Sequence, residues 1–200
     1  MPAGGFRRIV AALRDYAAHP DPRAALANAV ALVVASNQPF YPLYIYWTVS
    51  PTIWPSYVSF LSTPLFLAVP ALMRRSTLLG RATLLFAGIG NTALCRAALG
   101  GVSGVDVFLF PCLVLALLLF RRSERAVGLG FAAIAGAVYL GPAALPGVDG
   151  HLYAAGEYEA LQRLNFISAA TLTALIGLLF ANILENGTRR PSETETPPET

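Results

Sequence analysis

Residues 164–184 read Leu-Asn-Phe-Ile-Ser-Ala-Ala-Thr-Leu-Thr-Ala-Leu-Ile-Gly-Leu-Leu-Phe-Ala-Asn-Ile-Leu, with no charge and no proline. A helix needs about 20 mainly apolar residues to cross the hydrocarbon core of a bilayer. The stretch meets that length, and five more of the same kind precede it, at 24–47, 53–73, 78–99, 102–120 and 126–145. Only the third and fourth hold charges, Arg81 and Arg96 in one and Asp106 in the other, all toward segment ends. A charge there costs much less than the ~2.5–3.5 kcal/mol it costs at mid-membrane. The expected fold is an all-α integral membrane protein, a bundle of six transmembrane helices.

Composition points the same way. Of 200 residues, 56% are hydrophobic and 12% charged, with a mean hydropathy of +0.58. Soluble domains carry roughly a quarter charged residues. The net charge is +3, and all 14 basic residues are Arg. They form short clusters between apolar stretches, not the continuous basic stripe of a nucleic-acid-binding surface, so no nucleic-acid partner is expected.

The clusters also orient the chain. Arg7, Arg8, Arg14 and Arg23 precede segment one, Arg74, Arg75 and Arg81 flank the turn from two to three, Arg121, Arg122 and Arg125 fill the turn from four to five, and Arg189 and Arg190 follow segment six. The intervening turns hold at most one, Arg96 or Arg163. This alternation fits the positive-inside rule for six spans with both ends in the cytoplasm, a multi-pass protein of a bacterial inner membrane. Both tryptophans, Trp47 and Trp54, and five other aromatics between Phe40 and Tyr57 surround the first outer turn, where rings with a polar tip favour the headgroup boundary.

Residues 1–23 are too polar for a secretory signal core. Phe6, Ile9, Val10 and Leu13 set against Arg7, Arg8 and Arg14 suggest an amphipathic helix on the cytoplasmic surface. Residues 24–184 form the membrane domain. Residues 185–200, acidic and proline-rich after two arginines, should be a disordered cytoplasmic tail.

Few residues suggest chemistry. Cys95 and Cys112 have no partner at metal-ligand spacing, and neither a metal nor a cofactor is expected. Gly101-Val102-Ser103-Gly104 before segment four invites comparison with rhomboid intramembrane proteases, but segment six lacks the histidine that would activate the serine. His19 and His151 fall on opposite sides of the membrane in this topology. No enzymatic activity is expected. Pro39 and Pro42 should kink or unwind the end of segment one, freeing carbonyls for side chains, water or a ligand. Asn37 and Gln38 stand there, either tying down the helix end or lining a pocket. Arg96 and Asp106, on neighbouring helices across a glycine-rich turn, should pair, as a structural tie or a contact for a ligand headgroup. Asn28, Asn91 and Asn182 form an inner-side polar set. Ala132/Gly136 and Gly177/Ala181 give small faces for close helix contact, within the bundle or between copies of the chain.

The stretch Gly100-Gly101-Val102-Ser103-Gly104-Val105-Asp106, an apolar helix with Pro111, then Phe120-Arg121-Arg122-Ser123-Glu124-Arg125, resembles the six-helix membrane domains that precede output domains in bacterial class III adenylate cyclases and related sensors. The resemblance spans residues 24–184 and implies a receptor or regulatory membrane module. Only the tail follows, so no cyclase activity carries over. The expected function is a non-enzymatic sensor or regulatory module. Asn37, Gln38, Arg96, Asp106 and Asn165 would bind a small or lipidic ligand at its outer side, and its partners would be the bilayer and a membrane protein or a second copy of itself. A small transporter or channel, or a structural subunit of a membrane complex, are the alternatives.

Overall fold

The computed structural model describes residues 3–142 and 152–189. Among them every regular element is helical: α1 (Ala3–Ala17), α2 (Pro22–Asn37), α3 (Tyr41–Thr48), α4 (Thr63–Arg75), α5 (Thr77–Leu99), α6 (Leu109–Leu119), α7 (Arg125–Leu140) and α8 (Ala155–Arg189), joined in places by 3-10 helices. Three stretches are long and apolar enough to cross a membrane: Trp54–Arg75, counting its 3-10 lead-in, Thr77–Leu99 and Ala155–Glu185. Val105–Leu119 is a shorter apolar helix.

Local chemistry sets most helix ends. Asp21 caps α2, its side chain accepting from the Arg23 amide, and Pro22 takes the first helical position, where a missing N–H costs nothing. Ser76 caps α5 through the Leu79 amide. Beyond Leu99 the chain turns through Gly100 (φ 83°) and Gly104 (φ 69°), backbone conformations that favour glycine. Segment one is not one helix. It breaks at the 3-10 turn Gln38–Phe40, where the Pro39 and Pro42 rings force the change.

Other expected boundaries move. α8 starts nine residues before Leu164 and passes Leu184 to Arg189, because no proline or capping residue stops it at the edges of the apolar run. The expected tail therefore begins as helix, and residues 190–200 lie outside the described part. α7 ends at Leu140, and residues 143–151, His151 among them, are also outside.

The second segment opens with a nine-residue 3-10 helix, Trp54–Ser62, long for a geometry seldom extending past three or four residues. Its side chains eclipse every third position, and the sequence keeps that period. Ser56, Ser59 and Ser62 are buried, while Trp54, Tyr57 and Phe60 are exposed, with Tyr57 and Phe60 stacked at 5.9 Å.

Two apolar clusters fill the interior. The larger includes Ala27, Ala31, Val69, Leu85, Leu115, Leu119 and Ile176. The smaller gathers Ile45, Cys95, Leu99, Val105, Tyr153, Tyr158 and Leu161. At the arginine-rich end, three ties join turns distant in sequence. The Tyr16 hydroxyl donates to the Leu67 carbonyl at 2.8 Å, under the Arg74 guanidinium. Arg121 meets Asp21 at 2.6 Å. Arg81, 1% exposed, meets Glu124 through both carboxylate oxygens at 2.8 and 3.0 Å, donates to the Leu119 and Thr77 carbonyls, and lies over the Phe120 ring. The Arg81 hydrogen bond holds the Glu124 carboxyl below the ordinary glutamate range, against partial burial and with help from the Arg121 amide. Burial works to raise Asp21, but the hydrogen bonds from Arg121 and from the Arg23 and Ala24 amides outweigh it.

Candidate functional site

Between the two clusters lies a polar layer, supplied by one or two residues from each neighbouring element. Gln38 follows the last large-cluster residue of α2, Ala35, and Asn91 and Thr92 fall between Ile89 of the large cluster and Cys95 of the small one. Asn165 separates Leu161 from Ala169 on α8. These residues make two separate hydrogen-bonded groups, one around Gln38 and Asn91 and one around Asn165, while the Thr92 hydroxyl donates back to the Gly88 carbonyl of its own helix.

Gln38 is the hub of the first. Its Nε2 donates to the Ser59 carbonyl at 2.8 Å and to Ser62 Oγ at 2.7 Å, and its Oε1 accepts from the Thr63 hydroxyl at 2.6 Å. The proton of Ser62 Oγ has the Ser59 carbonyl and Asn91 Oδ1 within reach, each at 2.9 Å. Across the bundle the Tyr41 hydroxyl donates to Asn165 Oδ1 at 2.9 Å, and Asn165 Nδ2 donates to the Ser103 carbonyl at 2.9 Å. Asn165 is fully buried, so these bonds offset the cost of its desolvation.

One group in the layer is left over. Ser59 is 3% exposed, yet its hydroxyl has no hydrogen-bond partner. A buried orphan hydroxyl costs about 1–3 kcal/mol, and such groups call for a specific explanation. Ser59 lines a cavity of about 590 Å³ whose walls come from α2 to α6 and α8. Gln38, Asn91, Thr92 and Tyr41 line it as well, and its body is apolar, with Val34, Phe66, Leu84, Leu115, Leu172 and Leu175. Among the described residues no charged side chain lines it.

The five residues expected to form one site divide into three places. Asn37, exposed, and Gln38 line the cavity. Asn165 stands behind Tyr41 and does not line it. Arg96 and Asp106 form their own tie, Nε to Oδ1 at 2.9 Å. Neither atom has a well-aligned hydrogen bond, so charge holds that contact. Arg96 also donates to the Val138, Tyr139 and Gly141 carbonyls. It closes the C-terminal end of α7, where a cation suits free carbonyls and the helix dipole. Its groups are thus occupied away from the cavity.

Asn91 does not join Asn28. Asn28 Nδ2 donates to the Ala17 carbonyl near the arginine-rich end, whereas Asn91 meets Ser62 in the polar layer. Asn91 lies 8 residues from the C-terminal end of α5 and 14 from its start, and at 1.5 Å per residue that places it nearer the opposite end. Ser59, Ser62 and Thr63 carry no sequence motif, but the three-residue spacing of Ser56, Ser59 and Ser62 beside that of Trp54, Tyr57 and Phe60 marks a 3-10 face. The Ser103 hydroxyl donates to the Gly100 carbonyl at 2.6 Å and braces the glycine turn. Cys95 and Cys112 are both buried, and the described residues hold no group of three or more His, Cys, Asp or Glu.

Comparison with protein-family models, with curated proteins and with solved structures finds no match for this chain.

Proposed function

We propose that this chain is a non-enzymatic, six-span inner-membrane module, with both ends in the cytoplasm, that binds an uncharged amphipathic ligand in the Ser59 cavity and acts as a sensor or regulator. The observation that carries the reading is the Ser59 hydroxyl, buried without a partner at the polar end of an apolar cavity. A ligand hydroxyl or carbonyl would satisfy it. The absence of charge from the lining disfavours an ionised headgroup, whose burial without a counter-charge is costly. The volume lies in the usual range for small-molecule sites, and the exposed lining residues Phe40 and Ile167 suit entry from the bilayer. The 3-10 segments Gln38–Phe40 and Trp54–Ser62 border the polar layer. Such segments often mark hinges, and a ligand preferring one arrangement of them would shift the equilibrium.

The test is ligand-induced stabilisation in detergent, with monoolein as a neutral probe and oleate as its charged counterpart. Monoolein should raise the wild-type melting temperature, by up to about 2.7 kcal/mol of stabilisation at a hundredfold excess over Kd, and oleate should do less. Ser59→Ala should melt like wild type without probe, having lost no protein hydrogen bond, and should lose most of the monoolein effect. Ser168 lines the same cavity from α8, and equal stabilisation of Ser59→Ala and of the cavity-filling variant Ser168→Phe would sink the proposal.

A further inference from the structure

The arginine-rich end carries a second hollow, of about 370 Å³, lined by Arg23, Arg122 and Arg125 and by apolar side chains of α6, α7 and α8, among them Leu117, Leu129 and Phe180. Its charge is uncompensated. The two nearby carboxylates are already committed, Asp21 to Arg121 and Glu124 to Arg81. Arg23, Arg122 and Arg125 have no acidic partner among the described residues.

The start of α7 adds to the imbalance. Arg125 is its first residue, and the preceding Glu124 makes no side-chain cap. A helix N-terminus carries partial positive charge and unsatisfied N–H groups, and favours anions over cations. Here arginines crowd that end. The first amide of α7, that of Arg125, is already bonded to the Arg122 carbonyl, so an anion among the arginines would act on their guanidinium groups, relieving their repulsion. Guanidinium forks match phosphate oxygens in pairs.

The apolar half of the hollow decides between a soluble anion and a lipid. Leu117 is 66% exposed and Leu129 55%; in the membrane reading both meet acyl chains, and a headgroup seated on the adjoining arginines carries its own chain to them, which a free phosphate lacks. We infer that this hollow seats the phosphate headgroup of an anionic phospholipid, with an acyl chain against Leu117, Leu129 and Phe180. Basic pockets between helices at the cytoplasmic boundary are suited to such headgroups. The inference rests on the membrane reading of the chain and not on the ligand of the Ser59 cavity.

The full chain in nanodiscs of phosphatidylcholine doped with phosphatidylglycerol provides the test, read by native mass spectrometry of retained lipid. Wild type should retain phosphatidylglycerol over phosphatidylcholine. The double variant Arg122→Gln/Arg125→Gln should retain it at least about tenfold less, each arginine near the surface contributing about 1 kcal/mol. Arg7→Gln/Arg8→Gln removes the same charge from the exposed face of α1 and should behave as wild type. Arg23→Gln, read alone, replaces the double variant should that one melt early in pure phosphatidylcholine. Three results would overturn the inference: undiminished retention by the hollow variants, an equal fall in the α1 variant, or equal protection by sodium phosphate in phosphatidylcholine discs. Failure of the wild-type chain to enter discs would overturn the membrane reading as well, whereas loss of the monoolein effect alone would leave this site standing.

Discussion

Arg81 is 1% exposed, and every side of its guanidinium is answered: the Glu124 carboxylate, the Leu119 and Thr77 carbonyls, the Thr77 hydroxyl and the Phe120 ring. Removing one partner of a buried pair leaves an uncompensated charge, whereas replacing both with apolar groups is often near neutral. Glu124→Ala should therefore cost about 3 kcal/mol in detergent unfolding, and Arg81→Leu/Glu124→Leu clearly less than its two single changes summed. The pair also has a pH signature. The folded Glu124 value is lowered, so its stabilisation is complete above the unfolded value, about 4.3, and fades as pH falls through the folded one. The gap in melting temperature between wild type and Glu124→Ala should narrow below about pH 4.3, and a gap constant with pH would refute the pairing. The Arg96–Asp106 tie was readable in sequence because one tight turn separates the two residues. The Arg81–Glu124 tie was not, since its members lie on different turns 43 residues apart and nothing in either local sequence names the other.

At the scale of elements, the close approaches are made by glycines outside the expected small-residue faces. A Cβ on Gly128 would stand 2.5 Å from the Ala116 carbonyl oxygen, and one on Gly80 would stand 2.8 Å from the Met73 backbone. Gly136 and Gly177 would meet nothing within 4 Å. Within one copy of the chain, then, α6 packs on α7 through Gly128, and α4 on α5 through Gly80. Gly128→Leu should destabilise by about 2 kcal/mol or more, since overpacking against backbone cannot be relieved by a rotamer. Gly136→Leu should stay within about 0.5 kcal/mol of wild type. A tolerated Gly128→Leu would contradict the packing. The i, i+4 spacing of small residues was legible, but which face of α7 turns inward was not, because that helix is apolar all round. The break at Pro39 and Pro42 was legible from proline chemistry alone. The long 3-10 run was missed because the helix template of 3.6 residues hides a stripe of period three.

For the whole molecule, the proposed six-span topology is open to a direct test. The Tyr153 hydroxyl donates to the Thr52 carbonyl at 2.7 Å and Gln162 to the Val102 carbonyl at 2.8 Å, so the 101–106 turn and the start of α8 are tied to the first connection whatever side of a membrane they occupy. Reporter tags at 101 and 148 should read outside, and tags at 76 and 123 inside. A cytoplasmic signal from 101 or 148 would remove the six-span topology. The all-helical fold of the described residues and the apolar length of three stretches, Trp54–Arg75, Thr77–Leu99 and Ala155–Glu185, were legible from composition and run length, because so few charges interrupt them. The site was legible only in part. The sequence singled out Asn37 and Gln38, which line the cavity, but sidedness alone could not separate them from Asn165, which bonds Tyr41 and Ser103, or from Arg96 and Asp106, which pair with each other.

The separation of Arg81 from Glu124 also sets a schedule for making the protein. At about 5–20 residues per second, a ribosome needs roughly 2–9 s to add the 43 residues between them. Throughout that interval the newborn α5 carries a guanidinium whose carboxylate does not yet exist. Water or another group must serve as its stand-in, so the packing around Arg81 cannot close until the Glu124 turn has been synthesised.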